Sequence, residues 1–76
     1  MPLPRERALR ILQRVDAGEL TTGGAWVGLV HQIDWLPLGL QEWVWQQMEL
    51  RLEPDSVAYL RSWSRQSPEV GTIAGR

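Results

Sequence analysis

Apolar residues recur with a period near 3.6 in successive segments of this chain, each bounded by glycine or proline, and no segment repeats another. Between Pro4 and Gly18, the residues Ala8, Ile11, Leu12 and Val15 fall on one helix face. Pro4 suits a first turn, where its missing N–H has no intrahelical partner to lose, and Gly18 suits the position just past a helix end. The spacing predicts an amphipathic helix over residues 4–17. Thr21 or Thr22 can cap a second helix, whose face would carry Ala25, Trp26, Leu29, Val30, Ile33 and Leu36. Gly23, Gly24 and Gly28 weaken that pattern, and a strand over Ala25 to Val30 competes with it, because tryptophan and valine favour strands. The length of the periodic stretch favours the helix, with Trp26 in the core.

Pro37 must interrupt, so Leu36-Pro37-Leu38-Gly39 reads as a tight corner. Leu40 to Leu52 contains neither glycine nor proline and is rich in good helix formers, which marks it as the central helix. Its core line is Leu40, Val44, Met48 and Leu52, beside Trp45. Pro54 ends this segment, and Asp55 or Ser56 can cap a shorter fourth helix with Val57, Leu60 and Trp63. Tyr59 and Trp63, four apart, would meet as an aromatic pair closing one end of the core. Beyond Gln66 no period remains, and residues 67–76 are expected to form a flexible C-terminal tail. The fold expected is all-α: a small single-domain bundle of about four short helices over residues 1–66.

Length sharpens this picture, because a chain of 76 residues and 8.7 kDa has room for one core. A domain this size buries only about 60% of the surface exposed by its unfolded chain, so its stability should be thin unless a partner adds surface. Cysteine is absent, which removes disulfides and thiolate metal sites as substitutes. Eight basic residues, all arginine, against nine acidic ones give a net charge of −1. A general nucleic-acid binder would be basic. The charged start, Arg5-Glu6-Arg7, does not resemble a signal peptide, and the longest uncharged run, Leu20 to Ile33, is shorter than the ~18 residues a membrane span requires. A cytoplasmic protein without a membrane span is expected.

Catalytic chemistry finds few candidates in this composition. The single histidine, His31, has no second histidine to share a metal and no nearby serine to activate, and Asp34 one helical turn on is an ordinary polar neighbour. Glu42, Glu49 and Glu53 read as a solvated acidic stripe. Gly23-Gly24 lacks the Lys-Ser/Thr of a phosphate loop. Leu36 to Leu40 resembles the hairpin of helix-hairpin-helix DNA-binding modules, but lacks their second glycine and any nearby basic side chain. No enzyme, cofactor or metal site is expected.

The informative residues are those suited to contact. Arg7, Arg10 and Arg14 fall at i, i+3 and i+7 on the first helix, beside its apolar face, where they can meet phosphates or an acidic protein surface unless acids of the chain itself neutralise them. Five tryptophans, at positions 26, 35, 43, 45 and 63, exceed what so small a core can enclose. Gly24, Gly28, His31 and Trp35 follow one another along the side of the second helix opposite its apolar face. Their glycines would admit a close neighbour, either a partner or another helix of the same domain. Trp43 and Leu50 form a second apolar stripe on the third helix, either buried in the bundle or facing a partner. The expected function is a non-enzymatic protein–protein interaction module or small accessory subunit, docking on a larger protein or as a homo-oligomer through Gly24, Gly28, His31, Trp35, Trp43 and Leu50. The alternative is a small nucleic-acid-binding regulator using Arg7, Arg10 and Arg14.

Overall fold

In a computed structural model of the protein, residues 3–65 are described, and they form helices α1 (Pro4–Asp16), α2 (Gly23–Asp34), α3 (Leu38–Arg51) and α4 (Pro54–Arg61). The fold is the expected all-α bundle, with no strand among the described residues. The competing strand at Ala25 to Val30 is thereby overturned: Thr22 caps α2, its side chain accepting a hydrogen bond from the Ala25 N–H at 3.2 Å, and the helix runs through all three glycines. The tail expected at residues 67–76 lies outside the described residues.

The helix boundaries follow from local chemistry. Pro4 opens α1, and Gly18 just past its end has a φ of +69°, a left-handed conformation that glycine adopts without strain. α2 stops at Asp34 rather than continuing to Leu36, because the chain tightens there into short-range bonds, Trp35 N–H to Gln32 O and Leu36 N–H to Ile33 O. Pro37 disfavours helical geometry at Leu36, which ends the run. α3 then begins at Leu38, two residues before the start expected at Leu40, with Pro37 as its N-cap and the Gln41 N–H bonding back to the Pro37 carbonyl at 2.9 Å. Gly39 falls in this first turn, exposed. α4 starts at Pro54, and neither Asp55 nor Ser56 caps it; the N-cap is Glu53, without a side-chain cap bond.

α1 packs against α2 and α3, and α4 packs against the same two helices. Asp16 of α1 pairs with Arg51 of α3, while Arg5 and Leu9 of α1 share a groove with Leu40 and Trp43 of α3, so these two helices run parallel. The core takes Ala8, Ile11 and Leu12 from α1, Leu29, Val30 and Ile33 from α2, Val44, Trp45 and Met48 from α3, and Val57 and Leu60 from α4. Leu20 and Leu36, from the connections, complete it. Trp26, expected in the core, is only partly buried and packs against its edge, as do Leu40 and Leu52. Tyr59 and Trp63 form an edge-to-face pair with ring centres 5.1 Å apart, Tyr59 exposed and Trp63 against the core.

One buried polar side chain, that of Gln41, closes the α2–α3 corner. Its amide nitrogen donates to the Leu36 carbonyl at 2.8 Å and to the Asp34 carbonyl at 3.1 Å, satisfying two acceptors that the end of α2 leaves open. Gln41→Leu keeps the bulk and removes both donors. It should lower stability by about 1–3 kcal/mol through the orphaned carbonyls, measured by urea unfolding followed by circular dichroism. An unchanged midpoint would mean that water replaces the amide.

Candidate functional site

α1 and α2 meet along a seam whose outer edge is an open groove of about 390 Å³, lined by Arg7, Arg10, Ile11, Arg14, Gln32 and Trp35. The two walls have separate origins. On α1, Ala8, Ile11 and Leu12 must face the core, and the helical period sets Arg7, Arg10 and Arg14 on the flank beside Ile11. Arg7 and Arg14 lie seven residues apart, so the guanidinium row rises along about 10 Å of helix axis. On α2, Leu36 turns into the core ahead of Pro37, and the residue before it, Trp35, is turned outward with 74% of its surface exposed. Trp35 is the most exposed of the described tryptophans, and Gln32 stands one turn before it on the same wall.

Among the described residues no acid lines this groove. Arg14 approaches Glu19 at 3.9 Å, a marginal pair in solvent, and no carboxylate among the described residues lies within ion-pair distance of Arg7 or Arg10. The acids that do pair inside the fold use other arginines: Asp16 with Arg51 and Glu42 with Arg61. Internal neutralisation, the competing fate of the α1 arginines, therefore falls to Arg14 alone, and weakly. Glu53 lies outside α3 at the start of α4, so the acidic stripe of Glu42, Glu49 and Glu53 is not one helix face.

The remaining residues singled out from the sequence divide among three places. His31 is exposed and shares a shallow depression with Asp34, Trp35 and Arg65 beside the groove. Asp34 is occupied there: its carboxylate accepts a hydrogen bond from the Ser64 hydroxyl and another, at 3.2 Å, from the Arg65 N–H, tying the end of the described chain to α2. A Cβ at Gly28 would meet nothing within 4 Å and one at Gly24 only the Thr22 hydroxyl at 4.0 Å, so no other described helix uses the approach they permit. Trp43 is half-buried against the core and lines a separate groove between α1 and α3 with Arg5, Leu9 and Leu40. Leu50 stands apart in the last turn of α3 with 78% of its surface exposed.

Trp35 and the arginine stripe thus share one site, whereas Trp43, Leu50 and the glycines do not join it. Gln32 and the Asp34–Ser64–Arg65 tie carried no signal in the sequence, since a lone glutamine and a serine thirty residues from its aspartate follow no motif. Among the described residues no group of histidine and acidic side chains could hold a metal ion, and no helix is long and apolar enough to cross a membrane. Comparison with protein-family models, with curated proteins and with solved structures finds no match.

The contrast between two tryptophans checks this geometry. Trp45 is 2% exposed at the centre of the core, so Trp45→Ala should cost about 3–5 kcal/mol. Trp35→Ala should change stability by about 0.5 kcal/mol or less, as an exposed substitution does. Thermal unfolding of both variants tests the difference; comparable losses would mean that Trp35 supports the fold.

Proposed function

We propose that this chain is a non-enzymatic protein–protein interaction module of the cytoplasm, an accessory subunit in character, that receives an acidic protein segment in the α1–α2 groove. The observation that carries this reading is the meeting of two features from different helices: guanidinium groups, Arg7 and Arg10, without a close carboxylate partner among the described residues, and an exposed indole, Trp35. Each supplies a different part of recognition. Arginine forks pair with carboxylates in a defined geometry and are more weakly hydrated than ammonium groups, so they suit an interface. The indole supplies a large apolar area at little entropic cost, the usual character of an interface anchor. An acidic segment bearing one apolar side chain would meet both.

A groove with arginines and an indole also suits single-stranded nucleic acid, whose phosphates and bases would take the same places. The net charge of −1 favours the acidic protein segment, since nonspecific nucleic-acid binding draws on the charge of the whole surface. A fluorescently labelled Glu-rich peptide carrying one leucine, and an oligothymidylate of similar length, separate these readings by anisotropy at low salt. The peptide should bind more tightly. Arg7→Ala with Arg10→Ala, and separately Trp35→Ala, should each weaken it by about tenfold, the equivalent of roughly 1.4 kcal/mol. Tighter binding of oligothymidylate, with a salt dependence that flattens in the double arginine variant, would replace the protein reading by the nucleic-acid one.

A further inference from the structure

We infer that the acidic segment received by the groove belongs to a second copy of this chain, namely the Leu50 ridge at the junction of α3 and α4. This rests on the docking role proposed for the groove and names its occupant. The ridge has the chemistry the groove lacks. Glu49 and Leu50 occupy the last turn of α3, Glu53 is the N-cap of α4, and Asp55 lies in its first turn; all are exposed. Asp16 and Glu42 are held by arginines of their own chain and Glu19 only approaches Arg14, whereas no cation among the described residues lies within ion-pair distance of Glu49, Glu53 or Asp55. In the middle of these acids stands Leu50, the most exposed of the large apolar side chains.

Unpaired arginines therefore meet one exposed apolar group and unpaired acids another, while Glu6 of α1, which also has no ion pair among the described residues, does not line the groove. Arg7 and Arg10 flank Trp35; Glu49 and Glu53 flank Leu50. Within one molecule Leu50, in the last turn of α3, does not line the groove between α1 and α2. The two sites can meet between molecules. A groove-to-groove contact would oppose like charges, so the complementary contact sets the groove of one copy on the ridge of another, reciprocally in a two-fold dimer or head-to-tail in a ring or open chain. Leu50 would rest on the Trp35 indole, with Glu49 and Glu53 reaching the arginine row.

Charge exchange tests this without requiring the partner to be identified beforehand. The wild-type protein at low salt, followed by sedimentation velocity over rising concentration, should form species larger than the monomer, and these should disperse in high salt. Arg7→Glu with Arg10→Glu should abolish this assembly, and so should Glu49→Arg with Glu53→Arg, each weakening it by about tenfold or more because like charges then face each other. Mixing the two variants in equal amounts should restore it, since the reversed ridge of one fits the reversed groove of the other and the native pair also remains. Circular dichroism confirms that each variant is folded, and Leu50→Ser, which changes no charge, gives a further loss-of-assembly check. A wild-type protein that stays at 8.7 kDa while still binding the Glu-rich peptide would overturn the second-copy inference and leave the docking role intact. A monomer that binds neither would overturn both. Assembly that persists in either charge variant alone, or fails to return in the mixture, would overturn the groove-to-ridge contact.

Discussion

The corner between α2 and α3 governs both the core and the surface of this protein. Pro37 prevents α2 from continuing, and an interrupted helix end presents carbonyls that need donors. The Gln41 amide supplies two of them from the first turns of α3, which fixes the corner from inside. With the corner fixed, Leu36 enters the core and its neighbour Trp35 is carried outward toward the arginines of α1. A single buried amide is thus linked to both the packing of α2 on α3 and the orientation of the exposed indole.

Stability and recognition draw on different residues here. α3 contributes Val44, Trp45 and Met48 to the centre of the core, and α1 and α4 cover the α2–α3 pair. The groove uses side chains left over from that packing: those on the flank of α1 and the last position before the corner. This separation allows a chain of 76 residues to carry an exposed tryptophan without placing its fold at risk.

Much of the fold was legible because its signals are local. Pro4 and Gly18 bracket α1, Thr22 caps α2, and the spacing of Val44, Trp45 and Met48 identifies the buried side of α3. The helix-to-corner transition was misjudged by two residues on each side, since apolar periodicity continues through Leu36 and Leu40 although Pro37 alters the backbone between them. The candidate site was legible only in parts. Periodicity tells which residues share the side of one helix, so Arg7, Arg10 and Arg14 could be grouped; it does not tell which sides of two helices meet, so Trp35 could not be joined to them. Trp43 shows the same limit, since periodicity left its stripe either buried or facing a partner and only the packing of α1 shows it partly covered. Gln41 was invisible because the partners of a buried amide are backbone carbonyls, which every residue offers.

The glycines of α2 give the two ends of that helix unequal lifetimes. Glycine inside a helix costs about 1 kcal/mol relative to alanine, and Gly23, Gly24 and Gly28 all lie in the first half of this helix with no packed neighbour to recover that cost. Amide hydrogens there should exchange with solvent through local fraying well before those near Ile33, where the core and the Gln41 amide hold the helix. The protein accordingly combines a helix end that opens readily with a Trp35 end that stays shut, and hydrogen exchange along α2 would record a gradient in time across a structure that looks uniformly helical.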